Sequence, residues 1–212
     1  MLAYEQGRLI AFEGIDGTGK TTLALAIKRR LEQQTFSVVL LKEPTNETTA
    51  GKKLRESYYK GRVPPEQELA WFMEDREWNV KERVLPALKH NKIVLLDRYF
   101  YSTACYQGVR MNNDWKTILK VNRARFPEPS LTIILDLEVS LALQRIDNER
   151  KKTSFEAIQD LQAVRKLFLE IVQKDSLGNF LLLDASSPLP ILEEKAFNEI
   201  LGLLVKKKEK KN

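Results

Sequence analysis

The chain has 212 residues, of which 43% are hydrophobic and 30% charged, with a formal net charge of +6. That size and balance suit one compact domain, expected over residues 1–205, and no apolar run reaches the roughly 18 residues of a membrane span. A basic balance serves nucleic acid or small polyanions alike. Part of the excess lies in the tail "KKKEKKN", residues 206–212, which reads as a solvated, disordered terminus. The first residues lack a basic patch followed by an apolar stretch and a small-residue cleavage site, so no secretory leader is expected. The lone cysteine, Cys105, excludes an intramolecular disulfide. It fits a reduced, cytoplasmic protein in which it is either a small core thiol or a redox group.

In chain order, short apolar runs alternate with helical patterns. "RLIAF" (Arg8 to Phe12) predicts a first buried strand, followed by a helix in which Leu23, Ile27 and Leu31 recur every four residues opposite Lys28, Arg29 and Arg30. "VVLL" (Val38 to Leu41) predicts a second strand, and a helix is expected from about Pro65 to Lys89. "IVLLD" (Ile93 to Asp97), "LTIILDL" (Leu131 to Leu137) and "FLLLD" (Phe180 to Asp184) complete five strands. Helices are expected over Phe155 to Lys174 and Ile191 to Val205. Continuously apolar strands separated by helices point to a parallel sheet covered on both faces. The charged stretch "NERKKTS", Asn148 to Ser154, reads as a mobile lid, taken over about 145–155.

The stretch "FEGIDGTGKTT" carries the most chemistry. Within it "GIDGTGKT" (Gly14, Ile15, Asp16, Gly17, Thr18, Gly19, Lys20, Thr21) satisfies G-x-x-x-x-G-K-[ST] between a predicted strand and a predicted helix, and Thr22 follows. Glycines let successive backbone N–H groups turn towards phosphate oxygens, and the helix start adds its positive end. Lys20 is expected at the outer phosphates and Thr21 at Mg²⁺. Asp97, closing an apolar strand, is the candidate to hold Mg²⁺ through water, or else it caps a turn.

Three destinations for the phosphate compete. A guanine-reading [NT]-K-x-D segment is absent, as are the H-R-D and D-F-G segments of protein kinases. A second anion pocket, by contrast, has candidates. Arg98 follows Asp97 at the carboxyl end of a strand, where ligands collect on parallel sheets, and its planar fork suits a phosphate. The aromatic and hydroxyl residues of "DRYFYSTACYQG" could line a nucleoside. In "WFMEDR", Phe72 and Arg76 lie four apart on one helix face, as a stacking ring beside a carbonyl-binding guanidinium would, or as ordinary core packing.

Together these stretches, with "KEPT", "VLPAL", "LTIILDL", "LQRIDNER" and "SFEAIQDLQAVRKLF", resemble the thymidylate kinase family over most of the chain. The resemblance implies a three-layer P-loop NTPase-type fold with a five-stranded parallel sheet, a homodimer, and transfer of the γ-phosphate of ATP to dTMP with Mg²⁺. It implies small-molecule partners, with no nucleic acid or membrane. Carried over by position, Phe72 would stack on thymine and Arg76 would bond its carbonyl. Arg98 would grip the acceptor phosphate, and Asp16 would lie near the sugar 3′-hydroxyl. Thr103 and Gln107 would approach the base, and Tyr106 would crowd a 2′-hydroxyl. Gly17 stands where part of the family carries a catalytic arginine, so the lid would supply one: Arg150, with Arg145 nearby and Lys151 and Lys152 in support. Lys42 stands where arginine is common, Thr153 and Ser154 precede Phe155 where "DR" is usual, and Phe168 replaces a frequent tyrosine. A deoxynucleoside kinase using Glu43 as a base, and a non-catalytic nucleotide-binding module, are the alternatives. His90, the single histidine, is assigned no role.

Overall fold

A computed structural model describes residues 7–112, 114–149 and 158–205. Five strands form one parallel sheet: β1 (Arg8–Glu13), β2 (Val38–Lys42), β3 (Ile93–Asp97), β4 (Leu131–Asp136) and β5 (Phe180–Asp184). Their order across the sheet is β2-β3-β1-β4-β5. The three central strands β3, β1 and β4 are almost wholly buried, which is why their sequences run apolar without alternation. The register brings Phe12 beside Asp97, and Lys42 beside Asp97 on the other flank. The carboxyl ends of β1, β2 and β3 therefore converge at one rim.

The helices are α1 (Lys20–Gln33), α2 (Thr49–Lys60), α3 (Pro65–Asn79), α4 (Leu85–Lys89), α5 (Phe100–Arg110), α6 (Trp115–Arg125), α7 (Val139–Glu149), α8 (Ile158–Lys174) and α9 (Leu189–Val205). Leu23, Ile27 and Leu31 of α1 are fully buried, as their spacing predicts. No helix among the described residues is long and apolar enough to cross a membrane.

One expectation needs correction. The helix from Pro65 does reach Lys89, but a π-helical turn over Val80–Val84 interrupts it, with the Leu85 N–H donating to the Val80 carbonyl. Pro86 explains the change of winding, since a proline nitrogen cannot donate to the carbonyl four residues back. The first part of the expected lid, 145–149, is helical. Helix α7 continues through Glu149, because Val139, Ala142, Leu143 and Ile146 form a buried stripe at helical spacing. The rest of the proposed lid, with Arg150, Lys151, Lys152, Thr153, Ser154 and Phe155, and the tail 206–212 lie outside the described residues.

Candidate active site

The loop between β1 and α1 is shaped by glycines in conformations closed to other residues. Gly17 has φ +80°, and a Cβ there would meet the Ala142 carbonyl oxygen at 2.3 Å. Gly19, at φ +88°, is the N-cap of α1 and faces open space, leaving the helix's first N–H groups uncovered. Thr18 donates its hydroxyl to the Ile15 carbonyl, and the Lys20 ammonium donates to the same oxygen at 2.7 Å. Lys20 is thus folded back over the loop it belongs to. Burial, aided by the nearby Arg98 charge, brings its pKa down to about 7 against the pull of Asp16, Asp97 and Glu13. A cavity of about 400 Å³ opens above this loop, lined among others by residues 16–23, Asp97, Arg145 and Ala185.

At the rim, the Thr21 hydroxyl donates to Asp97 Oδ2 at 2.5 Å, and the Lys42 ammonium lies 3.0 Å from the same oxygen. The other oxygen, Asp97 Oδ1, is buried without a partner. Burial alone would raise this carboxyl, yet the Lys42 and Lys20 charges and the Thr21 hydroxyl hold it low. A hard divalent cation needs only one or two carboxylates plus waters and phosphate oxygens, so an ionised Asp97 with an idle oxygen beside a threonine hydroxyl fits Mg²⁺.

A second cavity, of about 210 Å³, lies on the opposite side of the Arg98 side chain. Asp16, Lys42 and Arg98 line both cavities, so one charged wall divides them. Arg98 has the left-handed backbone (φ +71°), which turns it back across the rim. Its Nη2 donates to Asp16 Oδ1 at 2.8 Å, and its Nη1 donates to Ser102 Oγ and to the Gly14 carbonyl. Beneath it, Glu13 is fully buried and accepts from the Tyr99 and Ser102 N–H groups and the Ser102 hydroxyl. Burial pushes Glu13 up to about 7 despite these bonds. Asp16 also accepts from the Tyr106 hydroxyl at 3.0 Å, and Arg98 lies over the Tyr106 ring. Burial alone would raise Asp16, but the Arg98 and Lys20 charges hold it well below the usual carboxylate range.

The far end of this second cavity carries Phe72, Arg76, Thr103 and Gln107 together. Phe72 is half-buried and lines the cavity, whereas Arg76 is 1% exposed. Arg76 Nε donates to Glu43 Oε2, Nη1 to Asn122 Oδ1 and Nη2 to Thr103 Oγ1, at 2.8, 2.7 and 2.9 Å. Three of its five N–H donors are spent and two remain. Since Thr103 accepts from Arg76, its own hydroxyl hydrogen is left to donate. Gln107 is fully buried, with Nε2 donating to Glu68 and Oε1 unpartnered. Glu43, weighed above as a base, has both oxygens engaged: Oε1 accepts from Asn79 and Oε2 from Arg76.

The sequence-derived set is thus brought together, apart from Arg150. Arg145 comes from α7 rather than a lid; its Nη2 donates to the Ala185 carbonyl at 3.0 Å at the edge of the phosphate cavity. His90 caps the end of α4, with Nδ1 2.7 Å from the Pro86 carbonyl, and lines neither cavity. Residues that the sequence did not single out are Glu13, Ser102, Asn122 and Glu68. Glu13 adjoins the glycine loop and Ser102 sits inside "DRYFYS", so proximity to motifs was their one signal. Asn122 and Glu68 carried none. Lys42, noted for replacing arginine, proves to be the cation at Asp97.

Two cavities sharing one charged wall, one over a phosphate-binding loop and one with room for a second polar molecule, belong to a nucleotide-dependent kinase of small acceptors. The fold and site define that class, the P-loop phosphotransferases. Comparison with known proteins narrows it: the sequence profile of the thymidylate kinase family matches residues 12–196. A probable thymidylate kinase of Archaeoglobus fulgidus is 40% identical, over 94% of this chain and 98% of its own length. A thymidylate kinase of Akkermansia muciniphila is 42% identical over 78% and 80% of the two chains, and one of Leptospira interrogans 39% over 79% and 83%. The chain belongs to the thymidylate kinase family.

Proposed function

We propose that this protein transfers the γ-phosphate of ATP to dTMP, giving dTDP and ADP on the way to dTTP. The observation that carries this reading is the shared wall of Asp16, Lys42 and Arg98 between the two cavities. A donor polyphosphate on the Lys20 loop and an acceptor phosphate on Arg98 would meet there in line. The base end of the acceptor cavity suits thymine. Gln107 Oε1 would serve as an acceptor for its N3–H, Arg76 and Thr103 have spare donors that would serve its carbonyls, and Phe72 lines the same cavity with a ring that would stack on it.

Phosphoryl transfer asks for positioning and charge neutralisation rather than covalent help. Lys20 and the N–H groups at the start of α1 hold the donor phosphates, while Arg98, oriented by Ser102 and Asp16, holds the acceptor. Thr21 and Asp97 would hold Mg²⁺, which would supply charge neutralisation at the donor phosphates. The acceptor phosphate is already anionic at neutral pH, its second pKa being about 6, so no strong base is needed. That agrees with Glu43 having no free oxygen, and it disfavours a nucleoside acceptor, whose 5′-hydroxyl must lose a proton. Tyr106, fixed by Asp16, crowds the sugar edge where a 2′-hydroxyl would project. Arg150 completes the transition-state charge, with Arg145 at the cavity edge. The working form is a homodimer acting on small molecules in the cytoplasm, a reducing compartment that suits a single, buried free cysteine.

A panel of acceptors with ATP and Mg²⁺ tests the reading. ADP formation should be stimulated by dTMP far more than by thymidine. Stimulation by thymidine alone would support the nucleoside-kinase alternative, and no stimulation by either would support a binding module.

A further inference from the structure

Glu68 does not line the acceptor cavity, but it bonds Gln107, which does. It lies in the first turn of α3 and is fully buried. Its Oε2 accepts from Arg62 Nη2, Arg110 Nη1 and Gln107 Nε2 at 2.7, 2.9 and 2.8 Å, and its Oε1 accepts from Arg62 Nε at 3.3 Å. Every group that approaches this carboxylate is a donor. Two guanidiniums, which do not lose their protons, hold it in place as an acceptor.

An isolated glutamine amide can present either end to a ligand, because oxygen and NH₂ are nearly the same size. Gln107 has no such freedom. With its amide reversed, a carbonyl oxygen would stand at hydrogen-bond distance from a carboxylate oxygen, two acceptors facing each other. The NH₂ is therefore committed to Glu68, and Oε1 is the end left for the cavity that Gln107 lines, buried and without a partner. From this arrangement we infer that Glu68 is a positioning residue for base selection: by fixing the Gln107 amide, it makes the pocket an acceptor at that point. The pocket then favours bases with a ring N–H there, such as thymine and uracil. It rejects cytosine, whose N3 is itself an acceptor. This inference rests on the acceptor cavity being the base pocket of a monophosphate.

The test is kcat and KM for dTMP and dCMP, with ATP and Mg²⁺, in the wild type and in Glu68→Gln, Glu68→Asp, Gln107→Ala and the Glu68→Gln/Gln107→Ala double variant. Glu68→Gln can donate as well as accept, so the Gln107 amide is free to turn. The kcat/KM ratio of dTMP to dCMP should then fall about tenfold or more, chiefly through KM. In the double variant the loss of selectivity should not exceed that of Gln107→Ala alone. Glu68→Asp keeps the charge balance with both arginines but withdraws the acceptor by one methylene. It should show an intermediate ratio, and it decides the matter if Glu68→Gln does not fold. A merely structural Glu68 would lower activity on both acceptors equally; an unchanged ratio in the folded Glu68 variants, or additive losses in the double variant, would overturn the inference. A wild type with no activity on dTMP would overturn the functional reading as well, and would do so before Glu68 is altered.

Discussion

Binding of ATP should draw a proton from solvent, and the amount follows from the state of Lys20. Its ammonium is buried, folded onto the Ile15 carbonyl and close to Arg98, which brings its pKa down to about 7. At about pH 8 roughly nine-tenths of the molecules should then carry a neutral Lys20. A polyphosphate in the loop would bring several negative charges against the amine and restore its charge. Uptake should accordingly be about 0.9 proton per ATP at pH 8, falling to about 0.1 near pH 6. The affinity should weaken almost tenfold per pH unit above about pH 8, because each complex requires a proton that becomes scarcer. Titration calorimetry in buffers of different ionisation enthalpy reads the proton number directly. Lys20→Arg, which stays charged, should bind ATP with no uptake at pH 8. Uptake below about 0.3 in the wild type, or undiminished uptake in Lys20→Arg, would show that Lys20 is charged throughout and that the wall around it is less desolvating than described.

Arg98→Ala removes a guanidinium whose charge-assisted bonds are worth about 1.5–3 kcal/mol each. It should weaken dTMP binding on the order of 100-fold, while ATP affinity stays the same or rises because Lys20 loses a repelling neighbour. Unchanged dTMP affinity by calorimetry would refute the acceptor grip. Gly17→Ala should destabilise the fold by about 2–4 kcal/mol in urea titrations, since it combines a left-handed backbone with overlap on the Ala142 carbonyl. Between about pH 4.5 and 7, native Glu13 retains a proton that the unfolded chain has lost. The contribution of Glu13 to stability should therefore fall by about 3 kcal/mol as pH rises through that window, before the depressed Lys20 begins to act in the opposite direction above about pH 7. A denaturation series in Glu13→Gln should lack that slope. Arg150→Ala should lower turnover far more than nucleotide affinity; equal losses in kcat and in ATP binding would reduce Arg150 to a binding residue.

What could be read from sequence was whatever depends on near neighbours along the chain. All five strands announced themselves as apolar runs, the central three because burial on both faces removes any need for polar alternation, and the boundaries moved by at most one residue. The phosphate loop was legible because its glycine spacing, its lysine and its threonine are one local device between a strand and a helix. Arg98 was legible because it follows the strand that ends in Asp97. What required the tertiary structure was the choice of partner for each buried charge. Glu43 is bound by Arg76, 33 residues away, and Glu68 by Gln107, 39 residues away. No local pattern marks either pair, and only packing of α3 against α5 and of the loop after β2 against α3 selects them. The same holds for the lone oxygens of Asp97 and Gln107: a sequence names an aspartate and a glutamine, but desolvation and the neighbours that consume their other atoms decide which atom is left for a ligand.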